Sequence, residues 1–221
     1  MIKNLVEYGY LRQNPENKQY LLSTKFLYFS DRVQQQFDLI PIAKPYLQQL
    51  SSDTEASANL CVQDNQVVVY IDHVYNHRQM LRTFTHLGAR APLYATGVGK
   101  IFLSQMTDGE LEGYIDRTEM ERFTDNTITD RDALIKEIEG VRKKGYAIDE
   151  QEKSIGVRCI AAPIYNHNNE IVAAISISGA TLMIPSKRIK ALSELVMNSA
   201  VLISAQLGYK VNGGEHSVNL S

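Results

Sequence analysis

The chain has 221 residues and a formal net charge of -2, from 23 Lys and Arg against 25 Asp and Glu. At about 150 residues per domain, this is one large domain or a main domain with a small appendage. The charge balance excludes a polyanion binder driven by overall positive charge, but not a local basic site. Hydrophobic residues at 44% and charged residues at 22% describe a globular chain rather than a disordered one. Two cysteines, Cys61 and Cys159, are too few for a disulfide framework or a four-cysteine zinc site. No apolar run approaches the roughly 18–20 residues that span a bilayer, and the first residues lack a signal-peptide core. The expectation is a soluble, cytoplasmic protein without a membrane partner.

In chain order, Leu5, Val6 and Tyr8 end a short amphipathic segment that Gly9 stops. Tyr10–Gln13 and Gln19–Leu22 then flank the turn-rich Asn14–Lys18 and predict a β-hairpin. This piece has too few apolar residues to fold alone and must pack on the rest of the chain or on a second copy. Ser23 is a candidate cap for a helix over Thr24–Gln35. Leu39, Ala43, Tyr46, Leu47 and Leu50 recur at helical spacing. Pro41 suits a first turn, whereas Pro45 predicts a kink or a later start.

The body reads as an α+β domain. Ala58–Gln63 and Val67–His73 are β-prone runs around Asp64-Asn65-Gln66. Met80–Phe84 is a predicted third strand, and helices are expected at Lys100–Gln105 and Thr107–Ile115. Thr129 and Asp132 fit a capping box, followed by an apolar stripe of Leu134, Ile138 and Val141 up to Gly145. Val157–Tyr165 and Ile171–Ser178 are apolar runs separated by Asn166–Glu170, a further hairpin. A long helix carrying Ile189, Leu192, Val196, Ile203 and Leu207 ends at Gly208, and the tail at Asn212–Glu215 is expected to be loose.

Several residues are candidates for chemistry. Alternation along Ile171–Ser178 puts Val172, Ala174, Ser176 and Ser178 on one face. Two hydroxyls about 6–7 Å apart can converge on one small polar ligand, or merely end a strand. Cys159 is either a small buried hydrophobe or a nucleophile with His167 as its base. Thr96-Gly97-Val98-Gly99-Lys100 resembles part of a phosphate loop, but Tyr94 stands where the Walker pattern has its first glycine and Ile101 where it has Ser or Thr. Nucleotide hydrolysis is therefore not expected. Such a turn either offers backbone N–H groups to an anion at a helix start or serves packing. Asp149, Glu150 and Glu152 read most simply as a solvated acidic run. His73 and His77 fall on a strand and its turn, no HExxH is present, and neither a metal nor a cofactor is expected.

Taken together, LVEYGYLRQ, YATGVGK, TITD, GYAIDEQEKSIGVRCIAAPIY and AAISISG resemble one family, the IclR-type transcriptional regulators, over about Leu5 to Tyr209. The resemblance implies a partial winged helix-turn-helix over 1–22 (end of the recognition helix and wing hairpin) and a linker helix over 23–36. It further implies a GAF-like effector-binding domain over 37–209, with a mainly antiparallel sheet flanked by helices, and a flexible tail over 210–221. It places an effector pocket at the Gly97 and Val98 amides, Asp149, Cys159, Ser176 and Ser178, with Met80 and Val157 in its apolar wall. Amides on one side and hydroxyls on the other suit a carboxylate. Asp149 would repel a bare anion and so favours a hydroxy, keto or sugar acid, whose hydroxyl it can bind. Arg12 and Lys18 on the wing would touch DNA phosphate, which positions without specifying. The family's earlier helices lie upstream of this sequence, so operator reading by this chain alone is not expected. The implied protein is a homodimer or homotetramer that regulates transcription in response to a small organic acid, and it is not an enzyme. Two other classes stand beside it: a sensor or interaction protein that pairs with full-length relatives, and a cysteine hydrolase using Cys159.

Overall fold

The computed structural model describes residues 2–35, 39–76 and 86–210, and the chain divides into two units, residues 1–40 and 41–221. In the smaller unit, helix α1 (Ile2–Glu7) is followed by Gly9 at φ +71°, a left-handed position that favours glycine. Strands β1 (Leu11–Gln13) and β2 (Tyr20–Leu22) pair antiparallel, as the hairpin reading expects. Ser23 accepts the Lys25 N–H at the start of α2 (Lys25–Gln35) and donates to the Gly9 carbonyl at 2.6 Å, so one hydroxyl caps the helix and ties it to the hairpin. The Tyr10 ring packs against Phe26 and Phe29.

Helix α3 (Leu39–Thr54) runs through Pro45, so the later start is not adopted. Pro45 has no N–H for the Pro41 carbonyl one turn back, so the helix continues with one internal bond missing in its second turn. The larger unit is built on a six-stranded antiparallel sheet in the order β5-β4-β3-β8-β7-β6. Its strands are β3 (Ser57–Asp64), β4 (Val67–Val74), β5 (Arg90–Pro92), β6 (Ala147–Glu150), β7 (Val157–Tyr165) and β8 (Ile171–Ala180). Helices α4 (Gly97–Gln105), α5 (Asp108–Arg117) and α6 (Arg131–Lys144) connect β5 to β6, and α7 (Ile189–Gln206) follows a short 3-10 turn at Ser186–Arg188. The β3–β4 and β7–β8 hairpins and the last helix match the sequence reading. The predicted strand at Met80–Phe84, together with His77, Met80 and the Asn212–Glu215 tail, lies outside the described residues.

The two faces of the sheet are chemically different. On one, Leu60, Ile160, Ala162, Ile164, Ile175 and Ile177 are fully buried. Helix α7 packs on β7 and β8 with Leu192, Val196, Ala200 and Ile203. Helix α3 reaches the same side, where Lys44 Nζ pairs with Asp72 at 2.9 Å and Tyr46 takes a bond from Gln206. The other face carries α4, backed by α6, and its core joins Cys61, Ala161, Ala174 and Ala147 to Val98, Ile101, Leu134 and Ile138. Small side chains on the strands let α4 sit close to this face.

Local signals set the helix ends. Thr107 and Glu110 form a reciprocal capping box at α5. The box expected at Thr129 and Asp132 is not formed: Asp130 caps α6 by accepting the Ala133 N–H, and Thr129 instead accepts from Arg122. Gly145 ends α6 at φ +74°. No helix among the described residues is long and apolar enough to cross a membrane.

Candidate functional site

Strand register brings most of the candidate residues into two parallel rows on the α4 face. Directly opposed residues of an antiparallel sheet share a face, with neighbours about 5 Å apart. Asp149 of β6 faces Cys159 of β7, Cys159 faces Ser178 of β8, and Ser178 faces Ser57 of β3. One step along, Ala147, Ala161, Ser176 and Asn59 form the second row. Val157 is two residues before Cys159 on the same side of β7. Asp149 is 3% exposed, Ser176 2%, Ser178 4% and Asn59 1%. Asp149 and Ser178 stand two strands apart, about 10 Å, with the short side chains of Cys159 and Ala161 between them.

The amino end of α4 stands above these rows. A Cβ on Gly97 would lie 3.3 Å from the Asp149 backbone nitrogen and 3.6 Å from the Ala161 Cβ. Ser176 and Ser178 are thus on the same side of the sheet as the glycine turn. Thr96 caps α4 by accepting the Gly99 N–H at 3.0 Å, and the first helical bond is Lys100 N–H to the Thr96 carbonyl. The Gly97 and Val98 N–H groups have no partner among the described residues. They carry the partial positive charge of a helix start. Gly99 answers to packing, because a Cβ there would lie 2.1 Å from the Leu93 carbonyl oxygen and 2.3 Å from its Cα. The packing reading of the glycine turn therefore holds for Gly99.

Two of the three carboxylates in the acidic run are not solvated. Asp149 and Glu152 are buried, and Glu150 pairs with the buried Arg158 on the opposite face. Burial first, then the Glu152 charge, pushes the Asp149 carboxyl up to about 7, against the opposing pull of the Glu152 and Lys153 N–H groups and of Lys100. The Glu152 N–H donates to Asp149 Oδ1 at 2.7 Å and fixes that side chain. Behind it, fully buried Lys100 bonds Glu152 at 2.7 Å and Glu137 of α6 at 2.9 Å. Thr124 and Thr127 hold the Glu152 carbonyl from a third direction. The last residue of the phosphate-loop-like motif is therefore an internal tie rather than a ligand contact.

The hydrolase reading fails on geometry and on charge. Cys159 is the third residue of β7 and His167 follows the strand's far end, about 20 Å away. Burial, then Asp149, Cys61 and Glu152, raise the Cys159 thiol well above its ordinary range, the reverse of what a nucleophile needs. Among the described residues no group of three His, Cys, Asp or Glu side chains could hold a metal ion. Two polar side chains near the rows escaped the sequence reading. Asn59 donates to both serines. Tyr70 is opposite Cys61 on the same face, its phenol pushed up by burial and then by Cys61, Cys159 and Asp149 nearby.

The family profile described as "Bacterial transcriptional regulator IclR C-terminal" matches residues 32–205. The chain belongs to the IclR family. It is 31% identical over 209 residues to the HTH-type transcriptional regulator XynR of Escherichia coli strain K12, spanning 95% of this chain and 82% of XynR. Among solved structures it is similar to the IclR protein of Thermotoga maritima, with a TM-score of 0.82 and 33% identity over 94% of this chain and 83% of that one. It is also similar to the inducer-binding domain of a double mutant of the PobR transcription factor from Acinetobacter, in complex with 3-hydroxybenzoic acid. That match has a TM-score of 0.69 and 27% identity over 74% of this chain and 96% of that one. The relatives are transcriptional regulators rather than enzymes, and the α+β architecture is that of IclR effector domains.

Proposed function

We propose that this IclR-family regulator responds to a small carboxylate-bearing metabolite held between the amino end of α4 and the two polar rows of the sheet. The Gly97 and Val98 N–H groups and the Ser176 and Ser178 hydroxyls hold the carboxylate. Asp149 accepts a ligand hydroxyl or, when protonated, donates to a carbonyl oxygen. Cys159 and Val157 supply apolar wall, with Met80 assigned there by family resemblance alone. The observation that carries this reading is the register that sets Asp149, Cys159 and Ser178 in one row under Gly97. The 3-hydroxybenzoic acid in the PobR domain, both acid and hydroxyl compound, is of the same chemical class.

The effector would act by favouring one arrangement of a linker helix over 23–36, or one oligomeric state of a homodimer or homotetramer, because a ligand shifts only equilibria whose states it distinguishes. Residues 1–22 then supply the last part of a winged helix-turn-helix, with Arg12 and Lys18 on phosphate, in the cytoplasm. Residues 37–209 form the sensing domain.

The test is a thermal-shift screen against keto, hydroxy and sugar acids. An acid at a hundredfold its dissociation constant stabilises by about 2.7 kcal/mol, or about 5–10 °C for a chain of this size. The Asp149→Ala/Ser176→Ala double variant should lose that shift. A screen in which no acid stabilises the wild type more than the double variant overturns the assignment.

A further inference from the structure

A serine hydroxyl has one proton and two lone pairs, so it grips an anion only when its proton points at the anion. Asn59 governs that choice here. It lies on β3 directly opposite Ser176, is 1% exposed, and its Nδ2 donates to Ser176 Oγ at 3.3 Å and to Ser178 Oγ at 3.2 Å. An amide nitrogen has two protons and no lone pair to offer, so each N–H fills a lone pair on one serine and neither serine can donate back to Nδ2. The Ser176 proton is therefore turned away from Nδ2. For Ser176 that direction leads along the row towards Ala161 and the Gly97 turn.

We infer that Asn59 is a positioning residue that takes up one Ser176 lone pair and leaves the Ser176 proton for the ligand, so that the site favours a carboxylate over the isosteric primary amide. The inference rests on the effector-site reading above. With the α4 amides it makes this end of the site donor-rich, while Asp149, two strands from Ser178, supplies the acceptor. An amide ligand would bring its own N–H towards backbone amides that only donate, and Ser176 could accept it only through its one remaining lone pair with its own proton turned elsewhere. Asn59 and Ser176 are 117 positions apart in sequence, so the polarity of the hydroxyls is set from a different hairpin from the one that carries them.

The experiment uses titration calorimetry at pH 7 with matched probes: 3-hydroxybenzoate against 3-hydroxybenzamide, lactate against lactamide, and pyruvate against pyruvamide. The wild type should prefer the acid by about tenfold or more, the scale of one hydrogen bond to a charged group. The neutral, similarly shaped Asn59→Leu variant should lower that ratio about tenfold. In a Ser176→Ala background the same change should move it less than about twofold. A purely structural role would weaken acid and amide alike and leave the ratio alone. Should Asn59→Leu fail to fold, Asn59→Ala is read in the same way, and a wild type that binds amide as tightly as acid overturns the inference without any variant. If the wild type prefers acids and Ser176→Ala reduces that preference, but Asn59 variants keep the wild-type ratio, the role of Asn59 is refuted and the effector site stands. If the wild type binds none of the acids, or Ser176→Ala changes nothing, the effector-site reading falls and this inference falls with it.

Discussion

Replacing Lys100 by Met keeps the length of a fully buried side chain and removes its charge. In the wild type the ammonium holds Glu152 at 2.7 Å and Glu137 at 2.9 Å. Burial works against the charged lysine, yet the two carboxylates outweigh it and raise its pKa above the ordinary value. Glu137 is one third exposed and regains water when Lys100 is lost, so its share is small. Glu152 has no such escape. Its side chain is 5% exposed, and among the described residues Oε2 has no partner and Oε1 would retain only the Glu150 N–H at 3.3 Å. Leaving one member of a buried pair behind costs about 3–5 kcal/mol, which at about 2–4 °C per kcal/mol lowers Tm by about 6–20 °C. Urea and thermal unfolding at pH 8 measure it. The Glu152 carboxyl already sits above its ordinary pKa through burial, and losing Lys100 raises it further. The loss should therefore be largest at pH 8 and shrink as pH falls and Glu152 takes up a proton. Lys100→Met/Glu152→Gln should recover at least half of it. A loss below about 1 kcal/mol, a loss that grows on acidification, or a double variant no better than the single would refute the account.

Asp149→Asn keeps an acceptor for the Glu152 N–H and removes the ionisation. Because the folded pKa of about 7 lies above the ordinary carboxylate value, Asp149 contributes stability that is full below about pH 4 and lost as pH rises through 7. The variant should therefore gain on the wild type by about 2–3 kcal/mol between pH 5 and pH 8, and equal differences at the two pH values in chemical denaturation would contradict this. Gly99→Ala drives a methyl into the Leu93 backbone and should destabilise by about 1–3 kcal/mol. Gly140→Ala, in mid-helix with nothing within 4 Å of the new Cβ, should stabilise by about 0.5–1 kcal/mol; thermal melts that rank the two alike would count against the close approach at Gly99.

The parts of this molecule that obey short-range rules could be read from the chain. The alternation of β8 separates Ser176 and Ser178 from Ile175 and Ile177, and the register keeps that separation. Strand β6 was missed because its four residues include two carboxylates, which read as a wet surface until Arg158 and Glu152 are seen around them. The burial of Glu152 depends on Lys100, 52 positions earlier, and no local pattern announces such a partner. The same holds for Asn59, whose contacts lie on a strand more than a hundred residues away. Pro45 misled in the other direction: one missing donor inside a long helix is outweighed by the burial of Ala43, Leu47 and Leu50.

The oily layer beneath α3 and α7 has a consequence for the diversification of such proteins. Leu60, Ile160, Ile175 and Ile177 keep the strands together from behind, so the short residues in front answer chiefly to the close approach of α4. On the effector-site proposal, exchanging a serine or cysteine there for a residue of like size would alter which molecule is welcomed while the architecture stays as it was. One framework could thereby be retuned to new metabolites by a few swaps that keep side-chain volume.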